Sequence, residues 1–271
     1  MKKKQADFEG KVVIVTGSNR GIGYKIAAQF LARGASVVLN GRDSERLIKA
    51  QSTLDPEGER TLTVSGDMRN PEDVSRLVSQ TVDRFGGVDV LVCNAGMMMR
   101  GRFDELAPPV VDGLIRTNIV GVALPIIEAL PEIKKRKGSV EIISSLAGVR
   151  GMPHISLYCA SKMALTAIAE SLWVELAGTG VHVGILYVGI TENDPDKRLT
   201  GADGSPIQVD RKSHSTQEDV ARTVCRQVRR RRRRVIMTLP GKALVVVQWL
   251  MPRLLTFLIA KGQGVAARFA K

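Results

Sequence analysis

Short apolar runs alternate along the chain with longer segments in which apolar residues recur every three or four positions. Short runs rich in Val and Ile are typical of strands buried on both faces, and the longer spacing is typical of helices. The pattern predicts strands at 11–16, 36–39, 61–65, 88–92, 139–144, 181–186 and 235–238. It predicts helices at 24–33, 43–54, 71–85, 109–135, 157–177 and 216–228, with Asp43 capping the second.

This alternation predicts the fold class. Strands that alternate with helices pair through right-handed crossovers, which gives one parallel sheet covered by helices. We expect a single α/β domain at residues 8–240 and an apolar and basic extension at 241–271. Pro125 and Pro131 are expected to kink or interrupt the helix at 109–135.

The composition is that of a soluble globular protein. The 271 residues are 44% hydrophobic and 25% charged, which allows a sizeable core and excludes whole-chain disorder. Cys93, Cys159 and Cys225 are the only cysteines, so a disulfide scaffold is excluded and a reducing compartment is expected. Because polar and acidic residues follow the lysines at 2–4, we predict no secretory signal and expect a cytoplasmic protein.

The net charge of +13 at pH 7 lies in the C-terminal part. Residues 211–271 contain 15 Lys and Arg against 2 Asp and Glu, whereas residues 1–210 contain 25 of each kind. Six consecutive arginines at 229–234 are typical of a solvated turn or helix end. An apolar tract at 243–260 follows them, and it is too short and too interrupted by Gln248, Pro252 and Arg253 to predict a membrane span.

Three roles stay open for this C-terminal part. The apolar tract suits packing over a ligand opening or at a subunit interface. Together with the arginines it also suits peripheral attachment to the anionic inner face of a membrane. Binding of nucleic-acid phosphates by the arginines is the least favoured role.

A glycine-rich turn, TGSNRGIG, connects the first predicted strand to the first predicted helix. Glycine permits a tight turn and close approach of a phosphate, and free N–H groups at the start of a helix favour an anionic pyrophosphate. The turn predicts dinucleotide binding by Gly17, Ser18, Asn19, Arg20, Gly21, Ile22 and Gly23.

The end of the second strand indicates which nucleotide is preferred. Enzymes that use NAD commonly place an acidic residue there, on the ribose 2′-hydroxyl. This chain has Arg42, and both Arg42 and Arg20 suit the 2′-phosphate of NADP(H), whereas solvated surface charges are the alternative. Helix capping accounts for the neighbouring Asp43, so the sequence predicts NADP(H).

Tyr158 and Lys162 stand four residues apart on a predicted helix and therefore share one face. An ammonium beside a phenol lowers the phenol's pKa, which makes the tyrosine a plausible proton donor and acceptor near neutral pH. Ser145 precedes Tyr158 by thirteen residues at the end of a predicted strand, where its hydroxyl could bind a substrate oxygen. Asn118 lies in the long helix and could reach Lys162 through water, and no metal site is predicted.

The glycine turn, the Cys93-Asn94-Ala95-Gly96 segment, Asn118, Ser145 and the Tyr158-Cys159-Ala160-Ser161-Lys162 segment together resemble the short-chain dehydrogenase/reductase family. The resemblance implies a Rossmann-like, doubly wound parallel sheet, a nicotinamide cofactor, and hydride transfer between a ketone or aldehyde and an alcohol. It implies that Tyr158 is the acid/base, Lys162 assists it, Ser145 orients the carbonyl and Asn118 supports a proton relay. It also implies that Asp67 contacts the adenine. Further cofactor contacts are implied for Met68, Asn94, Ala95, Gly96, Tyr158, Lys162, Gly189 and Thr191. It also implies a homodimer or homotetramer paired through two long helices.

Two positions depart from the family pattern. Cys93 stands where Asn is common, and Val188-Gly189 stands where Pro-Gly is common, beside the nicotinamide carboxamide. A regulatory or scaffold protein that binds the dinucleotide and has lost turnover is the alternative function. The intact Ser145, Tyr158 and Lys162 set favours the enzyme.

Three segments are predicted to shape the substrate pocket: Met97 to Met99, residues 150–156 and residues 191–207. Three adjacent methionines favour an apolar substrate, although core filling is as good an explanation. His154 is expected to be a loop residue without an acid/base role. Residues 191–215 are expected to form a polar loop, in which 191–205 is a candidate lid.

Overall fold

A computed structural model of the chain describes residues 7–192, 194, 197–208 and 213–269, with side chains of the last helix as far as 262. Ten strands are present in this part of the chain: β1 (Val12–Val15), β2 (Ser36–Gly41), β3 (Thr61–Ser65), β4 (Val90–Cys93), β5 (Met99–Arg100), β6 (Ser139–Ser145), β7 (His182–Val188), β8 (Arg198–Gly201), β9 (Pro206–Gln208) and β10 (Arg234–Ile236). The α-helices are α1 (Gly21–Leu31), α2 (Ser44–Leu54), α3 (Pro71–Phe85), α4 (Pro108–Ile115), α5 (Gly121–Arg136), α6 (Ser156–Glu175), α7 (Gln217–Arg230), α8 (Leu239–Leu250) and α9 (Pro252–Phe269).

Seven of the strands form one parallel sheet in the order β3-β2-β1-β4-β6-β7-β10. This confirms the predicted Rossmann-like, doubly wound α/β fold. The order reverses between β1 and β4, so a crevice opens between the segments that follow these two strands. The glycine turn follows β1 and the Asn94-Ala95-Gly96 segment follows β4, which places both at this crevice.

Alternate residues of the strands feed two separate hydrophobic cores, as the two-residue repeat of a strand requires. Val13 and Val15 of β1 pack with α1, α2 and α7 on one face of the sheet. Ile14 packs on the other face with α3, α5 and α6. Burial on both faces explains why the strands read as continuous apolar runs.

The long helix predicted at 109–135 is present as one helical stretch, Pro108–Arg136, whose geometry changes along its length. A five-residue π-helix, Arg116–Val120, separates α4 from α5 and contains Asn118. Neither Pro125 nor Pro131 ends α5, since the helix runs over both. The irregular part of this helix is therefore a local widening around Asn118, which apolar periodicity does not reveal.

The polar loop predicted at 191–215 is wrong in part. It contains β8 and β9, which pair antiparallel, and β8 also pairs with β5 in a second, three-stranded sheet. β8 pairs with the distant β5, and the hairpin of β8 and β9 has strands of four and three residues, which are too short for an apolar alternation to predict them. Residues 193, 195–196 and 209–212 of this segment lie outside the described residues.

The arginines at 229–234 end α7, turn through Arg231 at φ 48° and enter β10, as predicted for a helix end and turn. The apolar tract that follows divides at Met251 into α8 and α9. Within the described part of the chain, one helical stretch, Pro108–Arg136, has the length and composition of a membrane span. Its α5 portion packs in the second core of the sheet domain.

Candidate active site

Close backbone contacts hold the glycine turn in place. Gly17 (φ 63°) and Gly21 (φ 59°) adopt the left-handed region that favours glycine. A Cβ at Gly23 would overlap the carbonyl oxygen of Gly17. The Asn94 amide nitrogen donates to the main-chain oxygens of Thr16 at 3.0 Å and Gly17 at 3.1 Å, so Asn94 fixes the turn from the neighbouring strand.

Two of the predicted cofactor contacts have side chains turned into the protein. The Ser18 hydroxyl is buried, donates to the Val15 carbonyl at 2.8 Å and accepts the Asn40 N–H at 3.0 Å. The Met68 side chain is buried in the second core. Any contact these two residues make with a ligand must come from the main chain.

The crevice fits a dinucleotide. No side chain caps the start of α1, so its first N–H groups are available to an anion. A Cβ at Gly96 would lie 3.2 Å from Asn118 Oδ1 and 3.6 Å from Lys162 Nζ, so the missing side chain opens the crevice in front of these groups. No group of three or more His, Cys, Asp or Glu that could hold a metal ion occurs among the described residues.

Asp194 lies at the same helix start and was not predicted to be there. Its Oδ2 is 3.6 Å from Arg20 Nε and is the nearest atom to the position of a Cβ on Gly21. The segment after Thr191 thus places a carboxylate where the uncapped α1 favours an anion. Arg20 and Asp194 are far apart in sequence, and no motif signals the contact.

Charged groups surround the end of β2. Arg42 is exposed there, and Asp67 pairs with Arg69 at 2.6 Å. The hydrogen bond from Arg69 holds the pKa of Asp67 below its usual value, and the Arg42 charge adds to this effect. Asp43 accepts the Arg46 N–H at 3.0 Å, which confirms the predicted helix cap.

Tyr158 and Lys162 lie in the first turns of α6 and share one face. Lys162 Nζ is 5.9 Å from the centre of the Tyr158 ring and donates to the Ile143 carbonyl at 3.1 Å. Burial lowers the pKa of Lys162 to about 8, and the charge of Lys197 acts in the same direction. The buried amine is therefore close to its protonation equilibrium at slightly alkaline pH.

Ser145 ends β6 and is brought to α6 by the turn Leu146–Gly148. A Cβ at Gly148 would lie 2.8 Å from the Lys162 carbonyl oxygen, so the turn contacts the helix directly. The half-buried Ser145 hydroxyl accepts the Ala147 N–H at 3.2 Å. Ser145, Tyr158 and Lys162 thus lie at the same edge of the sheet.

Asn118 has its side chain engaged within the protein. It is buried, donates to the Met97 carbonyl and to Ser161 Oγ, both at 2.9 Å, and accepts the Met97 N–H at 2.8 Å. These bonds tie the π-helix to α6 and to the segment after β4. Both amide protons of Asn118 are used in these bonds, so a water-bridged link to Lys162 has to be accepted by an oxygen, either the remaining lone pair of Oδ1 or the main-chain carbonyl.

The three predicted pocket segments meet at the second sheet. Met99 pairs with Thr200, and the Gly101 N–H donates to the His154 carbonyl at 2.8 Å. Met99 itself is buried with Val110 and Leu114, so it fills a core. His154 lies in a turn (φ 63°), as predicted for a loop residue.

The two departures from the family pattern have local explanations. The Cys93 thiol is buried against the Val122 carbonyl, and burial raises its pKa to about 12. A Cβ at Gly189 would lie 3.0 Å from the methyl group of Thr238, so glycine allows the start of α8 to approach. Thr191 Oγ1 donates to the Gly189 carbonyl at 3.3 Å and lies 3.1 Å from Ser215 Oγ.

Comparison with known proteins places this site in a family. The short chain dehydrogenase family model matches residues 11–203, and the chain belongs to that family of oxidoreductases. It is 35% identical over 185 residues to a glucose 1-dehydrogenase of Gluconobacter oxydans, covering 67% of this chain and 70% of that one. It is 34% identical over 230 residues to 11-beta-hydroxysteroid dehydrogenase-like 4A of Arabidopsis thaliana, covering 83% and 76%.

A solved structure shows the same fold. The crystal structure of a short-chain dehydrogenase/reductase from Burkholderia phymatum in complex with NAD superposes with a TM-score of 0.79. The match covers 89% of this chain and 94% of that one at 22% identity.

Proposed function

We propose that the protein is an NADP(H)-dependent oxidoreductase that interconverts a ketone or aldehyde and an alcohol on an apolar substrate, within a catalytic domain at residues 8–240. The observation that supports this most directly is the pairing of Tyr158 with the buried Lys162 at the edge of the nucleotide crevice. Bound NADP(H) supplies or accepts the hydride.

The side chains handle the proton and the orientation. During reduction Tyr158 donates its hydroxyl proton to the nascent alkoxide. During oxidation the Tyr158 oxygen accepts the hydroxyl proton of the alcohol. The Lys162 ammonium stabilises negative charge on the Tyr158 oxygen. The Ile143 carbonyl, which accepts a hydrogen bond from Lys162, fixes the position of the ammonium. Ser145 donates to the substrate carbonyl oxygen, and Asn118 holds Met97 and Ser161 so that the crevice keeps its shape.

The nucleotide preference rests on the residues after β2. Asp43 is engaged as a helix cap, and Asn40 donates to the Val64 carbonyl at 3.1 Å, so neither is available to the adenosine ribose. Arg42 is exposed beside Asp67 and suits a 2′-phosphate. The similar structure with NAD shares too little sequence to bear on this preference.

An apolar substrate is supported by the walls of the pocket. Met97 and Leu157 pack partly buried around the Met99 cluster, next to Tyr158 in the chain. A relative named for hydroxysteroid dehydrogenation points to the same class of substrate.

The decisive experiment measures NADPH consumption by the full chain with a panel of apolar ketones, with NADH in parallel. We expect turnover with NADPH that Tyr158→Phe lowers by roughly 10²- to 10⁴-fold, while the exposed-site variant Lys49→Gln retains it. Tight NADPH binding without turnover on any ketone would instead favour the regulatory or scaffold alternative.

We also propose that the enzyme is a cytoplasmic homodimer or homotetramer paired through α5 and α6. Ile127 on α5 and Val174 on α6 are exposed large apolar residues on these two long helices. Cys93, Cys159 and Cys225 are free and buried, which suits a reducing compartment. Sedimentation of the protein and of Val174→Glu tests the pairing, and a monomer in both would contradict it.

A further inference from the structure

Helices α8 and α9 present an apolar face to solvent. Trp249 is 85% exposed, Leu250 63% and Phe257 62%, although such side chains are usually covered. Further exposed apolar residues on these two helices are Leu239, Val246, Leu254 and Leu258. Packing against the body of this chain therefore does not account for the apolar tract.

Arg150 links the body of the protein to both helices. Arg150 donates to Gln248 Oε1 on α8 and to Thr256 Oγ1 on α9. A cavity of about 510 Å³ lies between α9 and the start of α6, next to Met163 and Ile259. Two polar side chains of the tract thus point to the body, while its largest apolar side chains point away.

The segment that carries the apolar face is basic and has no acidic residue. Asp219 is the last acidic residue, and residues 220–271 contain 13 Lys and Arg and no Asp or Glu, which equals the net charge of the whole protein, +13. All six arginines at 229–234 are exposed, but Arg231 donates to the carbonyls of Lys137 and Gly180 at the amino ends of β6 and β7, whereas α8 starts after the carboxyl end of β10. The basic residues on the two helices themselves are Lys242 on α8 and Arg253 and Lys261 on α9, and all three are exposed.

We propose that α8 and α9, with the exposed Lys242, Arg253 and Lys261, form a docking surface for an anionic lipid bilayer. The two helices lie in the plane of the membrane interface with their apolar face among the acyl chains, and the basic groups contact anionic headgroups. The helices do not span the bilayer, because α8 has 12 residues and α9 carries Arg253 and Lys261, whereas a span needs about 20 apolar residues.

Charge and apolarity together select this partner. Nucleic acid would use the arginines and leave Trp249, Leu250 and Phe257 exposed. A second copy would cover the apolar face but bring two strongly basic segments together, which costs electrostatic free energy. An anionic bilayer satisfies both features of the surface. Since Arg150 belongs to the predicted pocket segment 150–156, docking would also bring the substrate opening to the membrane, and this consequence alone rests on the proposed function.

The test is flotation of the full chain with vesicles of phosphatidylcholine, with and without phosphatidylglycerol. We expect the protein to float with the anionic vesicles at low salt, and much less with neutral vesicles or at high salt. Leu250→Glu should lower the partition coefficient at least about tenfold, because it replaces an embedded apolar side chain by a charge. The matched control is Ile48→Glu on α2, where the residue is 61% exposed at the other end of the sheet, and it should float like the wild type.

Tryptophan fluorescence provides a second measurement, which remains informative if Leu250→Glu folds poorly. Vesicles should shift the emission of the wild type and of Trp173→Phe to shorter wavelength, but not that of Trp249→Phe. The proposal is overturned if the chain stays soluble with anionic vesicles at low salt, or if Ile48→Glu loses binding as far as Leu250→Glu does. It is equally overturned if Leu250→Glu only dissociates a dimer, or if RNA and not lipid binds in an arginine-dependent way. None of these readouts depends on enzymatic turnover.

Discussion

The ammonium nitrogen of Lys162 lies 5.9 Å from the centre of the Tyr158 ring, one helical turn away on the same face of α6. The amine is buried and is fixed by a main-chain carbonyl of β6. Its charge therefore acts on Tyr158 with little screening by water.

Replacing Tyr158 by Phe removes the hydroxyl and leaves the ring in place. We expect turnover to fall by roughly 10²- to 10⁴-fold, the usual contribution of a positioned acid/base, because no other group takes over the proton. NADPH binding measured by calorimetry should change little. Near-normal turnover in Tyr158→Phe would remove Tyr158 from the mechanism.

The pH profile should report Lys162. Its pKa is lowered to about 8, so the side chain is charged below this pH and loses its charge as the pH rises through it. The kcat/KM for carbonyl reduction should therefore decline above about pH 8. In Lys162→Met this decline on the alkaline side of the pH profile should disappear. The Lys49→Gln variant is the control. An unchanged alkaline decline in Lys162→Met would show that another group is responsible for it.

Arg42→Glu should weaken NADPH binding and favour NADH. A charge-assisted hydrogen bond contributes about 1.5–3 kcal/mol, so we expect the Kd for NADPH to rise roughly 10- to 100-fold. Binding of NADH should stay the same or improve, since an acidic residue at the end of β2 suits the ribose hydroxyls. Equal losses for both nucleotides would indicate a structural effect of the substitution and no contact with the 2′-phosphate.

Asp194→Asn should tighten NADP(H) binding. The carboxylate pairs with Arg20 at 3.6 Å beside the start of α1, where it competes with the anionic nucleotide. Exposed ion pairs contribute about 0.2–1 kcal/mol, so the Kd should fall by roughly 1.5- to 5-fold, and less at high salt. Weaker binding in Asp194→Asn would show that the carboxylate supports the nucleotide site.

Gly23→Ala should abolish dinucleotide binding, because the added methyl group would overlap the Gly17 carbonyl and displace the Asn94 amide. Gly262→Ala on α9 is the matched control, since nothing lies within 4 Å of the added methyl group. Titration with NADPH compares the two variants, and unchanged affinity in Gly23→Ala would contradict the assigned crevice.

Local patterns in the sequence determined the sheet strands, the helix cap at Asp43 and the shared face of Tyr158 and Lys162. These features depend on neighbours within about one helical turn or on the two-residue repeat of a strand, and such neighbours are visible in the chain itself. Residues 61–85 show this most clearly, since strand β3 and helix α3 begin and end at the predicted residues.

Tertiary structure alone decided the contacts between residues far apart in the chain. The π-helix around Asn118, the pairing of Met99 with Thr200, the carboxylate of Asp194 beside Arg20 and the polar attachment of α8 and α9 to Arg150 have no local signature. Each depends on the path that a connecting segment takes over the folded sheet, and that path is set by packing and burial of the whole domain.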